Sequence, residues 1–332
     1  MIKSILIFVI TITFSKVVYA SEDVLEDANL YTVKFRTSVD KPYREDKNAG
    51  LRKGSGFLVN KDKGLILTNA HVTGRSKSKV RVAFKNYGFS PVKQVYVDPR
   101  IDIAIVQINP KLIPKEAKEA KLKCDGKVPS GTSVAAFGHP KDLSFSASRG
   151  IVSKYRFFGG KDVIQTDTAI NKGNSGGPLI DMKSGLVIGV NKSSYTKSSG
   201  LSFAVPSKNV CIILNLFNEG KNPSPIKLPI RFAEDREAEN YLKVGSFYHK
   251  GKNIEIGSSL IAVNDIKIKT PSELDFILRG KTGEAKLTFK NGTSTKNYNV
   301  AIKPEAKILD RKYLYLSGAI ISRDPRSMYD EK

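Results

Sequence analysis

The chain is 332 residues long, with 40% hydrophobic and 26% charged residues, ordinary values for a globular protein of about two domains. Its 55 Lys+Arg against 32 Asp+Glu give a net charge of +23, and it holds two cysteines and three histidines. These figures exclude a wholly disordered chain, a collagen-like fibre and a disulfide-dense miniprotein. With no CxxC or HxxxH spacing they call for neither a structural metal nor a cofactor.

Residues 1–20 read as a secretory signal peptide. Lys3 gives a positive start, an apolar run follows from Ile5 to Phe14, and Val18-Tyr19-Ala20 resembles a cleavage site. Lys16 interrupts the run, which is short for a membrane anchor. Cleavage after Ala20 predicts an exported protein, periplasmic or extracellular. The lysines are scattered along the chain and not interleaved with aromatic residues, so nucleic acid is not an expected partner. They read as a solvated surface, with attraction to an anionic envelope surface as the functional alternative. In an oxidising compartment Cys124 and Cys211 are either bridged or two separate buried thiols; a bridge is worth about 4 kcal/mol in the chain-entropy account.

From Tyr31 the pattern is short and β-like. Tyr31, Val33 and Phe35 alternate with polar neighbours, a period of two. Strands are predicted at 56–59, 65–68, 80–84, 95–97, 103–108, 133–137, 150–153, 163–166, 178–180, 186–190 and 201–205. So many short strands predict antiparallel barrels or a sandwich. A helix follows, with Ser207 as N-cap, one face formed by Val210, Ile213, Leu214 and Phe217, and Gly220 just past its end. Residues 221–229 hold three prolines and read as a stiff linker. A second module is expected over 230–303. It has a strand at 259–263, a capping box at Thr270-Pro271-Ser272-Glu273, a short helix, and two strands joined at Asn291-Gly292. The tail, 304–332, carries an apolar run near Leu314–Ile321 with no assigned structure.

The segment Asp167–Leu179 carries the chemistry. Serine is a poor nucleophile unless a base lies within hydrogen-bond reach and donors await the oxyanion. Gly173-Asn174-Ser175-Gly176-Gly177 offers Ser175 as nucleophile. An oxyanion hole is expected from the main chain of Gly173, Asn174 and Ser175, with the N–H groups of Gly173 and Ser175 foremost. Of the three histidines, His71 ends an apolar strand and is the expected base. His139 precedes a proline in a turn and reads as structural, and His249 reads as exposed. Asp102, opening the strand Ile103-Ala-Ile-Val106, is the expected orienting carboxylate; Asp98, beside Pro99, reads as a turn residue.

On these residues the chain resembles the HtrA/Deg family of trypsin-like serine proteases. The matching strings are Gly54-Ser-Gly-Phe57, Leu67-Thr-Asn-Ala-His-Val72, Asp98-Pro-Arg-Ile-Asp-Ile-Ala104, the segment around Ser175, and Ser202-Phe-Ala-Val-Pro-Ser207. The resemblance covers 25–220 and implies two six-stranded antiparallel β-barrels of the chymotrypsin type, with the triad in the cleft between them. It further implies endoproteolysis of unfolded or misfolded proteins and assembly as a homotrimer. Maturation of one dedicated partner, or a protease fold serving as holdase or adaptor, are the alternatives. Ile170, Tyr195 and Leu201 would wall the primary pocket, and the lack of an acidic residue at 169 or 170 favours modest aliphatic side chains over Lys or Arg. Residues 254–280 resemble part of a PDZ domain, a small α+β fold that captures peptide tails by strand addition. Leu228–Leu242 contains no glycine for the loop that holds a terminal carboxylate, so peptide-tail binding and a role as rigid spacer both stand.

Overall fold

The structure, a computed structural model of the chain, describes residues 15–43, 46, 48–139, 145–171, 173–194, 201–233, 242–247, 254–316 and 319–322. Helix α1 (Ser15–Tyr31) runs through the expected cleavage point after Ala20 and delivers the chain into the first barrel. Its last residue, Tyr31, is buried, so the β pattern read from Tyr31 begins one residue later.

Strands β1 (Thr32–Val39), β2 (Gly50–Asn60), β3 (Leu65–Thr68), β4 (Lys79–Phe84), β5 (Ser90–Asp98) and β6 (Ile103–Gln107) close into one antiparallel barrel in the order β1-β2-β3-β6-β5-β4. Alternation on β1 turns Val33, Phe35, Thr37 and Val39 inward and leaves Arg36 in solvent. The one-turn helix α2 (Ala70–Thr73) follows β3. Strands β7 (Ser133–Gly138), β8 (Ser146–Phe158), β9 (Lys161–Thr166), β10 (Pro178–Asp181), β11 (Val187–Ser194) and β12 (Ser202–Pro206) close a second antiparallel barrel, in the order β10-β11-β12-β9-β8-β7. Closure leaves neither barrel with an open edge. One apolar cluster fills the first barrel, from Phe35 and Phe57 to Ile103 and Ile105, and reaches Phe137 and Val190 of the second.

Helix α3 (Ser207–Asn218) closes this region. Ser207 is its first helical residue and not its cap; Pro206 occupies that place, and the Ser207 hydroxyl donates to the Val187 carbonyl at 2.8 Å. The helix ends as expected. Gly220 (φ 71°) donates to Phe217 and Lys221 to Leu216, the paired bonds of a left-handed cap. Cys211 on α3 is bonded to Cys124, across 87 positions of sequence. The Cys124 segment adds to the second barrel through backbone bonds between Lys121, Lys123 and Val187.

The C-terminal module is built on a five-stranded sheet. Its strands are β13 (Ile226–Lys227), β16 (Ser259–Val263), β17 (Ile266–Lys267), β18 (Gly283–Asn291) and β19 (Ser294–Pro304), in the order β13-β19-β18-β16-β17. Thus β13 draws part of the stretch expected as a linker into the sheet. A separate pair, β14 (Ile230–Phe232) and β15 (Val244–Phe247), lies alongside. Helix α4 (Pro271–Leu278) starts where the capping box predicts: the Thr270 side chain accepts from Glu273 N–H, while Glu273 reaches back one residue further, to Lys269 N–H. Leu274 and Leu278 bury its inner face against Leu260, Val263 and Leu287. The apolar run of the tail forms a hairpin of β20 (Tyr313–Leu316) and β21 (Ala319–Ser322), with Tyr313 edge-on to Tyr43. Among the described residues no helix is long and apolar enough to cross a membrane.

Candidate active site

The two barrels bring together three segments far apart in sequence: the β3–α2 turn, the β5–β6 turn and the loop before β10. Asp102 lies in the second of these and is almost fully buried. Its Oδ2 accepts from His71 Nδ1 at 2.8 Å and its Oδ1 from the His71 backbone N–H at 3.0 Å. The first bond fixes the imidazole tautomer with its proton on Nδ1 and leaves Nε2 as the basic nitrogen. Asp102 has φ 67°, a left-handed conformation that aspartate tolerates better than most residues. Its carbonyl accepts from Asn69 Nδ2 (3.0 Å) and Ala70 N–H (3.2 Å), so backbone and side chain both grip the His71 turn.

Burial by itself pushes the Asp102 carboxyl up. The charge and hydrogen bond of His71, with Lys192 and Arg75 nearby, outweigh burial and hold it below the usual carboxylate value. Arg75 Nη2 stands 3.4 Å from Asp102 Oδ1. Lys161, at the start of β9, is pushed down to about 8, first by burial and then by the positive charge of Lys192. Asp102 thus sits in a positively charged surround.

Ser175 lies in the loop 173–177, which two residues clamp. Ser55 N–H donates to the Ser175 carbonyl (2.8 Å), and Ser55 Oγ donates to the Gly173 carbonyl (2.7 Å) while accepting from His139 N–H (3.0 Å). On the other side Gly176 N–H donates to the Asn191 carbonyl (2.7 Å) and Asn191 N–H to the Gly177 carbonyl (2.8 Å). Gly176, at φ 86°, could carry no side chain: a Cβ there would lie 2.2 Å from both Ser55 O and Thr68 Oγ1. That close approach sets the Ser175 loop against the turn that carries His71.

Gly173 also has positive φ, 112°. Asn174 N–H is committed to the Asn171 carbonyl at 3.0 Å, whereas the N–H groups of Gly173 and Ser175 have no acceptor among the described residues. These two N–H groups are the ones the loop leaves available to donate, the pair expected from the sequence. The Ser175 hydroxyl donates to the Lys192 carbonyl at 2.8 Å and makes no hydrogen bond to His71. Lys192 is the residue by which the β11–β12 register shifts between Asn191 and Ser193, so its carbonyl is turned out of the ladder and toward Ser175.

The expected pocket residues are less well grouped. Ile170 is buried in the apolar cluster of the second barrel, with Val134, Ile164 and Leu179. Leu201 is half-buried just before β12, and Tyr195 lies outside the described residues, as does His249. His139 is buried and enters the site only through its backbone. Sequence reasoning missed Ser55, Asn191 and Lys192; the string Gly54-Ser-Gly-Phe57 carries the family resemblance but assigns its serine no role. Among the described residues no group of three or more His, Cys, Asp or Glu is placed to hold a metal.

Residues 54–190 match the family model described as a trypsin-like peptidase domain. "Serine protease HTRA1A" of Danio rerio is 39% identical over 173 residues, covering 49% of this chain and 34% of that protein. "Probable periplasmic serine endoprotease DegP-like" of Pseudomonas putida is 30% identical over 276 residues, covering 75% of this chain and 55% of that protein. The chain therefore spans between a third and just over half the length of these two curated relatives. Among solved structures, "HtrA-type protease AlgW with tripeptide" superposes with a TM-score of 0.69 at 22% identity, over 86% of this chain and 97% of that one. The "serine endoprotease from Yersinia pestis" gives a TM-score of 0.63 at 22% identity over the same shares. At this level of identity, these two likenesses establish the fold.

Proposed function

We propose that this chain, whose residues 54–190 form a trypsin-like peptidase domain similar to those of the HtrA/Deg serine proteases, is an exported serine endopeptidase that cuts unfolded or misfolded proteins. The observation that carries the reading is the double grip of Asp102 on His71, at 2.8 and 3.0 Å, beside a serine loop with two uncommitted N–H groups. Ser175 turns from the Lys192 carbonyl toward His71 Nε2. His71 takes the hydroxyl proton as Oγ attacks the scissile carbonyl, and Asp102 stabilises the imidazolium. The N–H groups of Gly173 and Ser175 take the negative oxygen. His71 then delivers its proton to the leaving amine, and a water activated by the same imidazole releases the acyl group from Ser175.

On this reading the primary pocket accepts modest aliphatic side chains, with the half-buried Leu201 at its wall. The "periplasmic" in a relative's name and the N-terminal pattern together support export, and the positive surface favours contact with anionic envelope surfaces. Assembly as a homotrimer follows the family resemblance. Substrates of native fold are poor ones on this reading, because an extended backbone must enter the cleft.

A second reading, a protease-fold holdase, takes support from the Ser175 hydroxyl resting on Lys192 and away from His71. Digestion of casein by the wild type and by Ser175→Ala separates the two. Broad cleavage by the wild type alone supports the endopeptidase. Equal inertness of both proteins, with equal suppression of aggregation, supports the holdase. Cleavage confined to one native partner would point to a maturation protease.

A further inference from the structure

The side chain of Arg279, one residue past the end of α4 in the C-terminal module, is fully buried. Its Nε and Nη2 donate to Asp275 Oδ2, at 3.0 and 2.6 Å. Its Nη1 leaves the module. It donates to Asp98 Oδ2 at 2.6 Å and to the Pro223 carbonyl at 2.8 Å. Asp98 is the last residue of β5 and is also fully buried. Its other oxygen, Oδ1, accepts from the N–H groups of Arg100 (2.8 Å) and Ile101 (3.2 Å). The Tyr96 hydroxyl completes the cluster, 3.2 Å from Asp98 Oδ2 and 3.0 Å from the Pro223 carbonyl.

Asp98 therefore caps the turn Asp98-Pro-Arg-Ile-Asp102 with one oxygen and is held from the C-terminal module by the other. The turn ends on the carboxylate that grips His71, in a left-handed conformation that persists only where its surroundings impose it. Buried ion pairs are weak evidence for stability, because desolvation offsets most of their attraction. Their bonds are directional, however, and removing one partner is felt at the other. The charged groups around Asp98 are Arg279, with Asp275 and Arg100 behind it and the Tyr96 hydroxyl beside it. Those around Asp102 are His71, Arg75, Lys192 and Lys161, and Lys161 also lies within charge range of Asp98. Among the described residues, Arg279 is the one whose cationic side chain bonds the capping aspartate.

We propose that Arg279 is a positioning residue for the active site. Through Asp98 it fixes the β5–β6 turn, and with it the Asp102 carboxylate, so that the C-terminal module is built into the geometry of the catalytic pair. The proposal rests on the peptidase reading of His71, Asp102 and Ser175. It predicts that the module cannot be loosened without disturbing His71.

Two measurements on the full chain test it in wild type, Arg279→Gln, Arg279→Lys and the double variant Asp98→Asn/Arg279→Gln, each first checked for folding by near-ultraviolet circular dichroism. The double variant removes both buried charges together, so it stands in if Arg279→Gln does not fold. The first readout is the hydrogen-bonded Nδ1 proton of His71, observed by NMR without any need for turnover. It is expected to shift or to be lost to exchange in Arg279→Gln and in the double variant, and to be partly restored in Arg279→Lys. The second is the rate of Ser175 labelling by a fluorophosphonate between pH 5 and 9. A drop of about tenfold or more with a displaced pH midpoint is expected for the same variants. A folded Arg279→Gln protein, or failing that a folded double variant, with the wild-type proton signal and the wild-type labelling profile overturns the proposal. A wild-type protein that never labels but whose His71 proton responds to Arg279→Gln would overturn the peptidase reading and leave the positioning role standing.

Discussion

The hydroxyl of Ser175 rests 2.8 Å from the carbonyl oxygen of Lys192, on a residue that bulges out of the β11–β12 ladder. One neutral hydrogen bond of this kind is worth about 0.5–1.5 kcal/mol, so turning the serine toward His71 slows attack by no more than about tenfold. The contact is a brake and not a lock. An extended apolar peptide that competes for the Lys192 carbonyl is expected to speed fluorophosphonate labelling of Ser175 by a few-fold to about tenfold. A labelling rate indifferent to such a peptide would mean that the contact does not restrain the serine.

Asp102→Asn tests the orienting carboxylate with little change of shape. Asparagine tolerates the left-handed backbone at this position, so the fold and melting temperature are expected to change little. The amide cannot hold the imidazole with its proton on Nδ1 and cannot stabilise the imidazolium. Peptidase activity at pH 7–8 is expected to fall by about 10³–10⁴-fold. A variant within tenfold of the wild type would place the orienting group elsewhere.

Ser55→Ala takes from the Gly173 carbonyl the hydroxyl that donates to it and from the His139 N–H one acceptor. Leaving such groups unpaired costs about 1–3 kcal/mol, and part of that loss falls on the placement of the Gly173 N–H. A drop in kcat of about 10–100-fold, with KM nearly unchanged, is the expected result of steady-state kinetics. An unchanged kcat would show that Asn191 and the backbone N–H of residue 55 suffice to hold the loop.

Lys161 makes stability pH-dependent on the alkaline side. Burial, then Lys192, lowers it from 10.5 to about 8 in the folded protein. Between those two values the unfolded chain binds the proton that the folded chain has shed, so stability rises with pH across that window. Chemical denaturation at pH 8 and at pH 10 is expected to show a gain of at most about 3 kcal/mol in the wild type. The gain should be missing in Lys161→Met; a Met variant with the same slope would remove Lys161 as its source.

Much of the barrel architecture was legible because it rests on local patterns. The run Leu65–Thr68 is β3 to the residue, and the strands read at 80–84, 133–137 and 201–205 differ from β4, β7 and β12 only at their ends. Strands β2 and β8 run well beyond their predicted cores because their outer parts are exposed or only half-buried, apolar residues such as Leu51 and Phe158 included, so no buried face marks them in the sequence. His71 and Asp102, which the fold brings within 2.8 Å, stand out in the sequence by their places just after the apolar run of β3 and just before that of β6. Ser55 and Arg279 were not: each acts through hydrogen bonds to groups more than 80 positions away, and such contacts leave no period in the sequence. The place of Ile170 before the serine loop predicts a pocket wall, and its side chain packs in the core of the second barrel.

Mass spectrometry of the protein after reaction with a fluorophosphonate identifies the nucleophile itself. A single adduct is expected on the peptide carrying Ser175, abolished by Ser175→Ala and by His71→Ala. Modification of some other serine, or none at all even with an apolar peptide present, would contradict it.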